Sequence, residues 1–441
     1  MNKIIQSIIK MRHFYNHRPI SVRYGIDGIL TLGAISLVGN NNNLFAQRLG
    51  AGDFHLSMLQ FMPQMMNLVL LIPAGLIIDS MGNKRRMLSW ALIAAGILFA
   101  TAGSTAFIPV NAVYFFLIFI AVATASVTIM NLSWQAFFPE VVAEDENPND
   151  SNANNIQAEN RNSVLTFRAR MTMFVSLIVP LAVGVILTSI PSYDGKIAAH
   201  QTFYILAAVL LIYNSFHFRK IKATRPAIPK KVAFAEIKNS AKRLSKNKRF
   251  IYFTLTILFF HMAWQADWTL YFIGQANYLG MTEILLSLTA VGGTLAQLLT
   301  LKYWSRNNAR QGIELPLTYG MVGLAFCPVA MIVGLILPHP FGIIFFLIIH
   351  TLAHIPFATL VLNMFQCLLK VAGEENRSFS ISVYTLLITL SNAVMPVVGV
   401  AFYRALGGDR QALVNTFIIL FFLRILAAGI WFLRVKRGTV N

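Results

Sequence analysis

The chain has 441 residues, of which 56% are hydrophobic and only 12% charged. Soluble domains carry about 25% charged residues, so an ordinary water-soluble globule is excluded. The formal net charge of +19 invites a nucleic-acid reading until its distribution along the chain is considered.

The N-terminal stretch lacks a long apolar core and a small-residue cleavage site, so no cleaved signal peptide is expected. Ile4, Ile5, Ile8 and Ile9 share one helical face beside Lys3 and Lys10, the pattern of a short helix lying on a membrane surface. Apolar runs then recur, each long enough to cross ~30 Å of hydrocarbon. The spacing predicts twelve spans: 25–47, 54–78, 87–108, 112–138, 165–189, 200–218, 250–273, 281–303, 314–336, 341–368, 379–403 and 411–433.

Span one carries Asp27 near its start and "NNNN" at 40–43. Four successive residues sweep about 300° of helix, so they cannot all face one way. Either the span is interrupted there, or some of these side chains bond to neighbouring helices. In span two, Met58, Met62, Met65 and Met66 read as packing more readily than as an adaptable binding surface. Between spans two and three lies "GLIIDSMGNKRRML", with Asp79 closing a span, Gly82 in a tight turn and Lys84, Arg85 and Arg86 opening the next helix. Span four ends in "NLSWQAFF", which contains Asn131, Trp134 and Gln135. The stretch "VVAEDENPNDSNANNIQA" behind it has no hydrophobic periodicity and is expected to be disordered.

A basic segment, 219–249, precedes span seven, whose centre reads "HMAWQADWTLY" at 261–271. An aspartate inside a membrane helix costs roughly 2.5–3.5 kcal/mol on insertion scales, so Asp267 needs a partner or a water-filled cavity. His261, Trp264, Gln265 and Trp268 share one helical arc, with Asp267 and Tyr271 on its flank. Two readings stand: a face toward a wet aromatic cavity, or a packing face with a satisfied buried carboxylate. A buried carboxylate that can change protonation state suits reversible proton carriage, which makes Asp267 and Asp27 the coupling candidates. Asp27 also reads as an interfacial residue. In span ten, His350 and His354 have the i, i+4 spacing of a metal pair, but no third ligand is evident. Arg424, the one deep basic residue, falls in span twelve, where snorkelling or helix pairing is expected. Cys327 and Cys367 sit in different spans and support neither a disulfide nor a metal motif. No nucleotide-binding loop or catalytic constellation appears, so no cofactor and no enzymatic activity are expected.

The loops on the side of the chain ends hold 31 Lys and Arg, the opposite loops only 4. That asymmetry puts both termini in the cytoplasm. It describes an integral multi-pass protein, expected in a bacterial cytoplasmic (inner) membrane, and removes the nucleic-acid reading.

The chain also repeats itself. Leu49-Gly50 pairs with Leu279-Gly280, Gln135 with Gln366, and "ENR" at 159–161 with "ENR" at 375–377. Past that point Arg161 and Pro180 keep the spacing of Arg377 and Pro396. Parallel halves of this kind are a transporter architecture, with the site between them near the midplane.

With "GLIIDSMGNKRRML" between spans two and three, two related halves and a long basic central loop, the whole chain resembles the major facilitator superfamily. The resemblance implies an all-α membrane protein of twelve transmembrane helices in two pseudo-symmetric six-helix bundles. The expected boundaries are a cytoplasmic amphipathic segment 1–24, a first bundle 25–218, a basic linker 219–249, a second bundle 250–433 and a tail 434–441. It implies a conformational latch on Gly75, Asp79, Gly82, Lys84, Arg85 and Arg86. The second-half counterpart, "LKYWSRNNARQG", has lost the acidic residue and first glycine. Span four lacks the arginine of the family's proton-antiporting drug exporters, and span five offers only "VPLAVG" in place of their Gly-Pro-rich run.

The resemblance also implies that spans one, four, seven and ten line a cavity. That makes Asn40, Asn41, Asn131, Trp134, Gln135, His261, Trp264, Gln265, Trp268, Tyr271, His350, His354, Asn363 and Gln366 the candidate substrate contacts. Away from their ends, the outer spans offer only Asn214, Asn415 and Arg424. Amides and aromatic rings without a deep Lys or Arg in the lining spans suit a small neutral or cationic organic solute. The expected function is secondary active transport by a monomer embedded in lipid, coupled to a proton or another cation, with export favoured over uptake. A lipid flippase and a non-transporting membrane sensor are the alternatives.

Overall fold

The computed structural model describes residues 20–81, 83–142, 153–221, 241–372 and 377–437. Gly82, the expected surface helix at 4–9, the centre of the basic linker and the last four residues lie outside these ranges, as do the side chains of Asn40 and Asp79. Every regular element among the described residues is helical. Hydrocarbon offers a backbone no other hydrogen-bond partners, and the helix satisfies each N–H and C=O within its own segment.

Span one comprises Ile20–Val38, a 3-10 turn Gly39–Asn41 and Asn42–Arg48. Spans two to six are Asp53–Ser80, Lys84–Ser104, Ala112–Val142, Ala153–Ser189 and Tyr193–Arg219. Span seven is built from Lys248–Gln265, Trp268–Ile273 and a π-turn Gly274–Tyr278. Span eight is Glu283–Gln311, and span nine joins Glu314–Ala325 to Cys327–Ile336. Spans ten to twelve are Phe341–Val371, Arg377–Ala405 and Arg410–Lys436. Ten of these are long and apolar enough to cross a membrane by length and composition. Span two, a 28-residue helix, and the broken span seven complete the set.

Packing repeats between the halves. Span one runs along five and six as seven runs along eleven and twelve. Spans two and four pair as eight and ten do, and span three packs on four and six as nine packs on ten and twelve. The halves meet through two exchanged pairs, span two with eleven and span five with eight. Since helices alternate in direction, Lys84, Arg219, Lys248, Lys370 and Lys436 gather at one end, here the basic end.

Span five begins at Ala153 rather than 165, so "ANNIQAENRNSV" is helical despite its polarity. Extending a formed helix adds one hydrogen bond per residue without a new nucleation step, which Ala, Gln and Glu tolerate well. Both readings of the asparagine run hold: Gly39–Asn41 tightens to a 3-10 turn, and Asn42 Oδ1 accepts from Tyr204 Oη of span six.

Candidate functional site

Span seven breaks at Ala266 and Asp267. A helix end leaves carbonyls without intrahelical partners, and here Arg424 of span twelve supplies them. Its Nε donates to the Ala263 carbonyl at 3.4 Å and its Nη2 to the Trp264 carbonyl at 3.0 Å. Its Nη1 reaches the Leu324 carbonyl of span nine at 2.8 Å. The same Nη2 pairs with Asp267 Oδ2, and both side chains are 0% exposed. Arg424 is therefore no snorkelling residue; it caps the first half of span seven, where a cation is also favoured by the helix dipole. On the other side of the break, Gly399 of span eleven lies so close that a Cβ there would overlap the Ala266 carbonyl.

The two oxygens of Asp267 differ. Oδ2 holds Arg424, while Oδ1 is buried with no hydrogen-bond partner. Asp27 has no such vacancy. Its Oδ1 accepts from Thr31 Oγ1 at 3.0 Å and Asn214 Nδ2 at 2.9 Å. Its Oδ2 accepts from Trp134 Nε1 at 3.0 Å and Arg168 Nε at 2.9 Å. The Arg168 guanidinium lies 4.3 Å over the Trp134 ring. The interfacial reading of Asp27 thus gives way to a buried anchor joining spans one, four, five and six.

Beside Arg424 lies a cavity of about 260 Å³. Trp264, Trp268 and Tyr271 come from span seven, Leu324 and Cys327 from nine, and His350, Ala353, His354 and Phe357 from ten. The rings meet edge to face, Trp264 with Trp268 at 5.8 Å and with Phe357 at 5.4 Å. His350 and His354 are 4.7 Å apart, but His354 Nδ1 bonds to the His350 carbonyl. No His, Cys, Asp and Glu group suited to a metal occurs among the described residues. Spans nine and twelve pack along each other, along ten and along seven respectively, whereas spans seven and ten meet sparsely. The slot this leaves between the backbones of seven and ten is bridged by rings, Trp264 with Phe357 and Tyr271 with His350 at 5.6 Å.

Five of the sequence-predicted contacts, Trp264, Trp268, Tyr271, His350 and His354, share this cavity. The rest do not. His261 is buried against Met364 and receives or donates a bond with Gln265 at 3.0 Å. Asn363 exchanges two bonds with Asn308 and a third with Thr359, tying spans eight and ten. Asn41 donates to the Leu37 carbonyl of its own helix at 3.3 Å. Trp134 belongs to the Asp27 cluster, while Asn131, Gln135 and Gln366 are exposed. The single polar arc expected on span seven divides: Trp264, Trp268 and Tyr271, spaced i, i+4 and i+7, keep one face toward the cavity, while His261 and Gln265 bond to each other and Asp267 to Arg424.

Of the latch residues, Arg85 donates to the Ile221 carbonyl at 2.8 Å, within its own half. Asn83 caps the helix that Lys84 opens by accepting from the Arg86 amide. Gly75 has open space around its Cα.

A second charged cluster closes the end opposite the basic one. Glu283, at the start of span eight, binds Arg48 of span one at 2.5 Å and Lys196 of span six at 2.6 Å. Arg48 also touches His200, and Tyr193 donates to its carbonyl. Gln47 Nε2 donates to Asn277 Oδ1 at 2.8 Å. Thr188 of span five accepts from the Ile284 amide at 3.1 Å. All of these bonds join the first half to the second except those to His200 and Tyr193. Sequence reading missed Glu283, Arg48 and Arg168 because each sits near a span end, where a charge needs no explanation.

The sequence profile described as Major Facilitator Superfamily matches residues 28–396. No curated protein matches in sequence. Among solved structures, the chain is similar to the nucleoside transporter NupG, with TM-score 0.68 at 11% identity over 95% of this chain and 100% of that one. It is also similar to a bacterial homologue of the iron transporter ferroportin in an inward-facing state, with TM-score 0.69 at 13% identity over 94% and 98%. A bacterial homologue of the human lysosomal transporter Spinster gives TM-score 0.62 at 14% identity over 95% of both chains.

Proposed function

Because the chain belongs to the major facilitator superfamily, we propose that it is a secondary active transporter moving a small neutral or cationic organic solute by alternating access. Its two bundles rock about a site reached through the slot between spans seven and ten. The basic end is cytoplasmic by the positive-inside rule, so the Glu283 cluster holds the outer end shut in this conformation. Transport is coupled to a proton, with Asp267 as carrier, and runs as export.

The observation that carries this reading is the vacant Oδ1 of Asp267, buried beside an aromatic cavity and next to a break in a membrane helix. Intramembrane carboxylates mark ion and substrate pathways, and broken helices place such groups at transporter sites. Proton occupancy of Oδ1 neutralises the carboxylate, weakens its hold on Arg424 and loosens span seven from span twelve. That links protonation to helix movement. The conformational latch on Gly75, Asp79, Gly82, Lys84, Arg85 and Arg86 works at the cytoplasmic end in the same cycle.

The test uses purified protein in liposomes holding a pH-sensitive dye, offered sugars, amphipathic cations, lipophilic drugs and neutral ring compounds. Substrate-dependent proton movement that Asp267→Asn abolishes is the expected result. Proton movement that survives Asp267→Asn removes Asp267 from the coupling path.

A further inference from the structure

On the footing of the transport reading, we infer that the cargo is a neutral, planar heteroaromatic of roughly bicyclic size, received in the slot between spans seven and ten. Six of the ten lining residues carry rings, Trp264, Trp268, Tyr271, Phe357, His350 and His354, and the rest of the wall is Leu324, Cys327, Ala353 and Arg424. Flat π-faces in offset and edge-on arrangements favour a flat partner over a puckered one. A volume of about 260 Å³ falls below the usual range for drug-sized ligands, so the guest is small.

The polar groups fix its charge and edge. Arg424 is the charged side chain on the cavity wall. Asp267, which neutralises it, is not part of the lining, so a cationic guest meets the guanidinium edge and no carboxylate. An anion fares little better. A guanidinium has five N–H groups, and Arg424 commits four of them, one to each of the Ala263, Trp264 and Leu324 carbonyls and one to Asp267. Arg424 also interacts with the Tyr271 hydroxyl, so no two N–H groups stand free for bidentate capture of a carboxylate or phosphate.

Two further polar atoms belong to the lining residues. His350 Nδ1 is buried without a hydrogen bond, Tyr271 Oη lies against Asp267 and Arg424, and both residues line the cavity. Buried polar atoms are rarely left unpaired in a finished core. Together with the Arg424 guanidinium, they form a polar rim that suits a ring bearing a lactam or ring-nitrogen edge. A packing void would be lined by apolar atoms alone.

Equilibrium dialysis of the full chain in lipid nanodiscs, corrected with empty nanodiscs, tests this with three probes of similar size. Quinolin-2-one is flat and neutral with a donor–acceptor edge. Octahydroquinolin-2-one keeps the edge but loses the flat ring, and 1-methylquinolinium keeps the ring but carries a charge. The expected result is saturable binding of quinolin-2-one, with both comparators weaker by about tenfold or more. Trp268→Ala weakens quinolin-2-one by about tenfold, and Trp268→Phe restores most of that loss. Equal or tighter binding of the cation or of the saturated lactam overturns the assignment, as does the absence of saturable ring binding in the wild type. Saturable binding without liposome flux defeats the transport reading and leaves the ligand class standing. Flux of a non-aromatic solute without ring binding does the reverse.

Discussion

Arg424 on span twelve binds Asp267 on span seven and, with the same guanidinium, closes the carbonyls of Ala263 and Trp264 that the break in span seven leaves open. One side chain thus satisfies a buried charge and a broken backbone together. Removing it should be severe. Arg424→Leu leaves a buried carboxylate alone, for which roughly 3–5 kcal/mol is lost when one partner of a buried pair is deleted. The apparent thermal midpoint of the purified protein, followed by intrinsic fluorescence, should fall sharply. Adding Asp267→Asn to Arg424→Leu should recover part of that loss, because the uncompensated charge is gone. An Arg424→Leu protein as stable as wild type would rule out this account of the pair.

The break is held from the other side by Gly399. A Cβ there would overlap the Ala266 carbonyl, and that carbonyl belongs to rigid backbone rather than to a side chain that can swing away. Gly399→Ala should therefore destabilise by about 1–3 kcal/mol as overpacking. Gly429 on span twelve is the control, because nothing lies within 4 Å of its added Cβ. Gly429→Ala should be neutral or stabilising by up to about 1 kcal/mol, since alanine loses less backbone freedom in a helix. Matched thermal midpoints separate the two outcomes.

The helices were legible in the sequence because each carries a long apolar run, and hydrocarbon forces such a run into helix whatever its neighbours do. Asp267 was legible for the opposite reason: a charge among apolar residues demands a partner. Its partner was visible too, though not as its partner. Of the two readings for Arg424, snorkelling or helix pairing, the packing of seven against twelve selects pairing. Asn214 of span six, likewise an outlier among apolar neighbours, turned out to bond Asp27. A polar residue on an outer span is thus the natural complement of a buried acid on an inner one. What the sequence could not give was the break itself. "AWQADWT" contains neither proline nor glycine, and its helical periodicity runs on through Asp267, so the polar arc drawn from it was too wide.

Asp267 and Asp27 are both coupling candidates by sequence, Asp27 with an interfacial reading beside it, and their hydrogen bonds separate them. Asp27 has two donors on each oxygen, and protonation would force at least one donor away. Asp267 has an empty Oδ1, where a proton displaces nothing. Asp27→Asn should therefore lower stability, by about 1.5–3 kcal/mol for a lost charge-assisted hydrogen bond, yet keep substrate-driven proton movement. Asp267→Asn should lose proton movement. Liposome dye measurements on the two variants side by side decide this, and coupling lost in Asp27→Asn while it persists in Asp267→Asn would reverse the assignment.

The last prediction concerns the closed end. Glu283 draws Arg48 and Lys196 of the first half onto the second, and Gln47 reaches Asn277 across the same seam. For alternating access these contacts must part once in every cycle. Replacing Gln47 and Asn277 by cysteine, with Cys327 and Cys367 changed to alanine, allows the seam to be bridged by a short thiol-cleavable crosslinker. Bridged protein should lose nearly all flux and regain it on reduction. In the same background, Glu283→Gln removes the charge that holds two cations. Reaction of the cysteine at position 47 with a membrane-impermeant thiol reagent should then rise severalfold, as the closed population shrinks by the loss of about 1–2 kcal/mol of charge-assisted bonding. Full flux in bridged protein would show that the seam never opens, and would place the translocation route elsewhere than between the two halves.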